Sequence, residues 1–217
     1  MENMNLTMYI CLMIPMSMML LVFKGRSRML CGFLMAGMFV CVLSGEINGL
    51  LTNVYQLDEQ MVAVNFAPLV EEIAKAIPIV FISFLLRPKG QELAEYALAI
   101  GVGFATMENV CVLMETSTVS FGYAVLRAIG AGVLHGVCTL IVGLAMRTVI
   151  TEKAVFFSGT LAALSIAVIY HSIYNMLITS RYMAVGVVLP LVTFVALLVG
   201  SYRMFKKRNQ KNSAETE

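Results

Sequence analysis

The chain has 217 residues, 59% of them hydrophobic and only 13% charged, with a formal net charge of +2. Soluble domains carry about 25% charged residues, so the composition excludes a soluble globular protein and leaves no room for a soluble domain between the apolar runs. No basic stripe interleaves with aromatics, which argues against a nucleic-acid partner. The five cysteines, Cys11, Cys31, Cys41, Cys111 and Cys138, lie in apolar runs without a Cys-x-x-Cys pair, which argues against a disulfide framework or a thiolate metal site.

Residues 6–23 form the first apolar run. It opens on Met-Glu-Asn-Met-Asn and is followed by Lys24, Arg26 and Arg28, the pattern of a retained helix and not of a cleaved signal. The second span covers 29–51, with Glu46 and Asn48 near its far end, and the connection 52–65 carries Asp58 and Glu59 but no base. The third span, 66–86, ends on the breaker Arg87-Pro88-Lys89-Gly90. The fourth, 96–115, holds Glu108 and Asn109 and is followed by an uncharged turn, 116–122. The fifth, 123–146, has Arg127 at its start, read as an interfacial anchor, and His135 within. The sixth, 154–178, contains His171 and Asn175, and the seventh covers 183–205.

Each run is long enough to cross ~30 Å of hydrocarbon. The expectation is an all-α polytopic membrane bundle of about seven transmembrane helices. Residues 1–205 read as one domain and 206–217 as a basic, disordered cytoplasmic tail. Lys and Arg gather in the first, third and fifth connections and in the tail, which places the N-terminus outside and the C-terminus in the cytoplasm of a cell-membrane protein.

Against this background Glu71, Glu72 and Lys75 stand out in the third span. A charge near the bilayer centre costs at least ~2.5–3.5 kcal/mol. At ~1.5 Å per residue, Glu71 and Glu72 lie roughly 8–9 Å below the outer end of their span, Glu108 and His171 about 10 Å and His135 about 12 Å. Residues from four separate helices therefore share one stratum in the outer half of the membrane, and Glu46 lies close to it. Lys75 is spaced to neutralise either carboxylate on its own helix. His171 and Asn175 are four apart on one face, and Gly132 and Gly136 bracket His135 at a spacing that admits a close neighbour. A proton- or cation-coupled transporter would also place carboxylates and histidines in the membrane, and a non-catalytic membrane scaffold is a third reading. Neither paired repeats nor corresponding broken helices, the marks of many transporters, are present.

Glu71-Glu72-Ile73-Ala74-Lys75 resembles the Glu-Glu-x-x-Lys motif of the PrsW-type intramembrane proteases, relatives of the CAAX prenyl endopeptidases and bacteriocin-processing membrane proteins. Phe104 to Asn109 resembles the family's Phe-x-x-x-Glu-Asn motif, His135 its third motif, and His171 to Asn175 its His-x-x-x-Asn motif. The prenyl endopeptidase branch usually has His where Glu108 stands, which favours the PrsW branch. The resemblance implies hydrolysis of a peptide bond in a membrane-anchored protein substrate near the extracytoplasmic face, of the kind that cleaves anti-sigma factors. The implied catalytic residues are Glu71, Glu72, Glu108, His135, His171 and Asn175, supported by Lys75, Asn109 and Phe104.

Two mechanisms fit these residues. In the first, Glu108, His135 and His171, with or without Glu72, hold Zn²⁺ with a position open to water, and Glu71 or Glu72 is the general base. In the second there is no metal: Glu72 activates water, His171 binds it, Asn175 stabilises the oxyanion and Lys75 holds the other carboxylate.

Overall fold

Hydrocarbon offers a backbone no hydrogen-bonding partner, so apolar runs of this length must satisfy their own peptide groups, and helix does so within one segment. The computed structural model describes residues 4–86, 88, 91–115, 120–149 and 153–214, and no strand occurs among them. The helices are α1 (Met4–Val22), α2 (Gly25–Tyr55), the short α3 (Glu59–Met61), a π-helical segment (Val62–Phe66), α4 (Ala67–Leu85), α5 (Glu92–Glu115), α6 (Phe121–Val149), α7 (Lys153–Ile178) and α8 (Met183–Ala214). Seven long helices thus stand where seven spans are expected. Arg87, Lys89 and Gly90 of the predicted breaker, and 116–119 and 150–152 of the two later connections, lie outside the described residues.

The differences from the sequence reading have local causes. The connection 52–65 is largely helical: Asp58 caps α3, its carboxylate accepting from the backbone N–H groups of Gln60 and Met61 at 3.0 and 3.2 Å. α8 continues to Ala214, where a disordered tail is expected from residue 206. The extension is rich in Lys, Arg and Gln, all good helix formers.

Among the described residues, five helices are long and apolar enough to cross a membrane on their own, and residues 7–22 form a shorter apolar helix. α4 differs because of its charges. Its 19 residues reach about 28 Å, enough for the crossing, but its pattern is inverted relative to a soluble helix. Leu69, Ile73, Ile77, Phe81 and Phe84 form an exposed stripe at helical spacing, while Glu71, Glu72, Lys75, Ile79 and Ile82 are buried on the opposite side. The apolar face is turned out of the bundle, as a lipid surrounding requires, and the charged face is packed against protein.

α5 lies between α2 and α6, and glycine sets how closely they approach. A Cβ on Gly37 would fall 2.0 Å from the Ile100 carbonyl oxygen, and one on Gly103 would fall 1.9 Å from that of Leu34, so α2 and α5 touch backbone to backbone at two points. On the other side of α5, a Cβ on Gly101 would lie 2.5 Å from the His135 carbonyl oxygen. Gly101, not the expected Gly132, brings a neighbour against His135; nothing stands within 4 Å of a Cβ on Gly132, and Gly136 meets only a Leu98 methyl at 3.2 Å. These contacts fix the height of Phe104 and Glu108 relative to His135.

The π-helical segment shifts hydrogen bonding by one residue. The Ala67 N–H donates to Val62, five residues back. The next N–H in line would be that of residue 68, but Pro68 has none. The Ala63 carbonyl is thereby left without a backbone donor from the following turn, and the Asn175 amide of α7 donates to it at 2.8 Å.

Gly103→Ala should part α2 from α5, because the new methyl would overlap the Leu34 carbonyl. The expected cost is about 1–3 kcal/mol, read as a lower unfolding temperature in detergent. Gly132→Ala should leave stability unchanged or raise it by up to about 1 kcal/mol through helix propensity; equal losses in the two variants would contradict this packing.

Candidate functional site

The polar residues picked out along four helices converge. Lys75 on α4 is fully buried, and its ammonium donates to Glu72 Oε1 at 2.5 Å and to His135 Nδ1 on α6 at 2.8 Å. An ammonium can only donate, so Nδ1 of His135 accepts and Nε2 carries the hydrogen. That N–H donates to Glu108 Oε2 on α5 at 2.8 Å. The other oxygen of Glu108 pairs with Arg127 Nη2 on α6 at 3.2 Å. Beyond Glu72, His171 Nδ1 on α7 donates to the same Glu72 Oε1 at 2.9 Å. One chain of charge-assisted bonds therefore runs Arg127, Glu108, His135, Lys75, Glu72, His171.

Phe104 supports the middle of this chain. Its ring packs 4.7 Å from the His135 ring, and the Lys75 ammonium sits 4.3 Å above it, a cation–π contact that takes the remaining side of the amine. The two imidazoles meet edge to face at 4.9 Å.

Glu71 is different. Its Oε2 is buried and accepts no hydrogen bond. It faces His171 Nε2 at 3.9 Å. Because Nδ1 of His171 holds the hydrogen, Nε2 presents a lone pair. Two lone-pair atoms therefore face each other across a gap with no hydrogen between them. Charge counting agrees: three carboxylates (Glu71, Glu72, Glu108) meet two cations (Lys75, Arg127), and the carboxylate in excess is the unpartnered one. Such a pair demands a bound proton, a water or a cation.

Glu71, His135 and His171 each offer a ligand atom, all within 4.8 Å of one another. Glutamate with two histidines is a donor set that suits a catalytic zinc, and the orphaned Glu71 oxygen gives the ion a charge to neutralise. These residues fit a metal. The set differs from the expected Glu108, His135 and His171, since Glu108 is bonded instead to His135 and Arg127. Both nitrogens of His135 are already bonded, so it becomes a ligand only by releasing Lys75 or Glu108.

Above the cluster lies a cavity of about 630 Å³ between α6, α7 and the start of α8. Glu108, Arg127, His135 and His171 line it, Leu126, Leu134, Met183 and Val187 supply apolar wall, and Ser120, Tyr123 and Thr179 belong to the same lining at the helix ends. Tyr174 and Asn175 also line it.

The remaining expectations divide. Glu72 is the carboxylate that Lys75 holds, and Glu71 the one left over, the reverse of the arrangement that makes Glu72 the base. Asn175 lines the cavity but spends one amide hydrogen on Ala63. Asn109 Oδ1 is buried without a hydrogen bond. Glu46 is exposed on α2. Arg127, read as an interfacial anchor, instead braces Glu108; the signal was the charge balance, since three acids in one stratum with a single lysine call for a second base. Tyr174, which lines the cavity, is not singled out by the sequence because a tyrosine beside a histidine on an apolar helix reads as packing.

Neither the comparison with curated proteins nor that with solved structures gives a match. Residues 25–201 match the description "PrsW family intramembrane metalloprotease", a stretch that includes every residue of the cluster. The chain is a multi-pass integral membrane protein and belongs to the PrsW family of intramembrane metalloproteases.

Proposed function

We propose that this protease hydrolyses a peptide bond of a membrane-anchored protein in the outer half of the bilayer, with Glu71 as the base that takes the proton of the attacking water. The observation that carries the reading is the gap between Glu71 Oε2 and His171 Nε2, where two acceptors face each other in a buried site. A water there would give one hydrogen to each acceptor and turn its own oxygen outward. Glu72 stays ionised between Lys75 and His171 and fixes the His171 hydrogen on Nδ1. Arg127 and Glu108 fix that of His135 on Nε2.

Zn²⁺, when bound, would be held by Glu71, His171 and His135 and would polarise the water and the substrate carbonyl. Without the ion the same lone pairs act on water directly: Glu71 accepts the proton and His171 orients the nucleophile, and the cavity admits an extended segment of substrate. The positive-inside pattern and the helix-end lining of the cavity support an extracytoplasmic cut. A single-span anti-sigma factor, cleaved as the first step of a signalling cascade, is the substrate class that the family motifs favour.

Glu71→Gln should abolish cleavage of single-span membrane proteins co-reconstituted in liposomes, by at least about 100-fold, with an unchanged or higher unfolding temperature. Lys75→Met should instead lower stability by about 3–5 kcal/mol, because it strands a buried carboxylate; Glu72→Gln added to it should recover part of that loss. Cleavage that survives Glu71→Gln would remove the catalytic assignment.

Metal content gives a separate check. Mass spectrometry of purified protein should find one zinc per chain, lost in Glu71→Gln and His171→Ala but retained in Glu108→Gln. Dialysis against a strong chelator should stop cleavage, and stoichiometric Zn²⁺ should restore it. Full activity in metal-free protein would leave Glu71 as the base of a metal-independent glutamic protease.

A further inference from the structure

Hydrolysis also needs a donor for the oxygen of the substrate carbonyl, which becomes an oxyanion as water attacks. The residue expected for this is Asn175. Its amide, however, donates at 2.8 Å to the Ala63 carbonyl, which the π-helical segment and Pro68 leave without a backbone donor. One of its two amide hydrogens is therefore committed to holding α7 to the segment that leads into α4, and a single hydrogen is left for an acceptor in the cavity.

The preceding residue has an unused donor in the same cavity. Tyr174 is only 5% exposed, and it lines the cavity together with Glu108, His135 and His171. The Tyr174 hydroxyl makes no hydrogen bond among the described residues, and its oxygen is not one of the fully buried atoms left without a partner, so it stays open to the cavity. Its position is set by Gly130 on α6. A Cβ at Gly130 would fall 2.7 Å from the Tyr174 hydroxyl oxygen, but 3.6 and 3.7 Å from the nearest ring carbons. The glycine makes room for the oxygen and not for the ring. Gly130 lies on the helix that carries His135, so one helix seats both the imidazole and the hydroxyl.

We propose that Tyr174 is a catalytic residue whose neutral hydroxyl donates to the oxyanion. This rests on the protease reading above. As the water oxygen bonds to the carbonyl carbon, the C=O π pair moves onto the carbonyl oxygen, which accepts the Tyr174 O–H hydrogen bond, and the water's proton passes to Glu71. When the tetrahedral species collapses, the π bond re-forms and the C–N bond breaks. The amine leaves with the proton that Glu71 returns. Tyr174 keeps its own hydrogen throughout.

The test is a cycle of Tyr174→Phe, Gly130→Ala and the double variant, assayed in liposomes on a single-span reporter with a tagged extracytoplasmic domain. Glu71→Gln is run alongside. Tyr174→Phe should lower kcat by about 100- to 1,000-fold, with KM within about twofold and the unfolding temperature unchanged. Gly130→Ala should lower kcat in the wild-type background, because the methyl displaces the hydroxyl. It should have no further effect once that oxygen is gone, since the ring carbons are at ordinary contact distance. A kcat for Tyr174→Phe within threefold of wild type would overturn the proposal, as would a Gly130→Ala loss that persists undiminished in the double variant. Cleavage abolished by Glu71→Gln but kept by Tyr174→Phe sinks the tyrosine assignment alone. Absence of cleavage by the wild type, or cleavage unaffected by Glu71→Gln, sinks the protease reading beneath it.

Discussion

A lysine ammonium buried in the middle of a membrane bundle has to be surrounded by acceptors, and Lys75 shows how much structure that requirement organises. Its cost of burial is several kcal/mol, and three groups offset it: the Glu72 carboxylate, the His135 imidazole and the face of Phe104. They come from α4, α6 and α5, so satisfying one amine fixes the rotation of three helices at once. The demand propagates. His135, having accepted from Lys75, must donate elsewhere, and Glu108 receives it; Glu108, with an oxygen to spare, takes Arg127. Each step leaves one fewer choice of hydrogen position, until His171 is left with a single free lone pair opposite Glu71.

The close helix contacts serve this arrangement. α2, α5 and α6 approach through Gly37, Gly103 and Gly101 to distances that no side chain would permit. Lipid supplies no hydrophobic drive for helices to associate, so small residues and interhelical hydrogen bonds carry the packing. In this bundle the two kinds of contact are adjacent: Gly101 rests against the carbonyl of the same His135 whose ring joins the polar chain. A rigid backbone contact behind the imidazole keeps it from yielding when the chain of charges pulls on it.

Much of this was legible in the sequence. Length and apolarity gave the helices, and helical rise gave the shared depth of Glu71, Glu72, Glu108, His135 and His171, because both depend on local geometry alone. What depth cannot supply is azimuth. Arg127 and Glu108 lie on neighbouring helices whose rotation is set by glycine contacts between backbones, so their pairing was invisible until the packing was known. The division of labour between Glu71 and Glu72 was hidden for a similar reason: adjacent residues point about 100° apart, and which of them meets Lys75 depends on how α4 is turned against α6 and α7. The bond from Asn175 to the Ala63 carbonyl was hidden because that carbonyl is freed by a one-residue shift in hydrogen bonding that hydrophobic periodicity does not register.

That shift has a mechanical result. α7 is bonded to the α3–α4 segment at two places, His171 to Glu72 and Asn175 to Ala63, about 6 Å apart along the α7 axis. A helix pinned at one point can swivel about the pin; a helix pinned at two cannot. The extra residue in the π-helical segment supplies the second pin. The aim of the His171 lone pair is thus held by the angle between two helices and not left to the rotamer of one side chain.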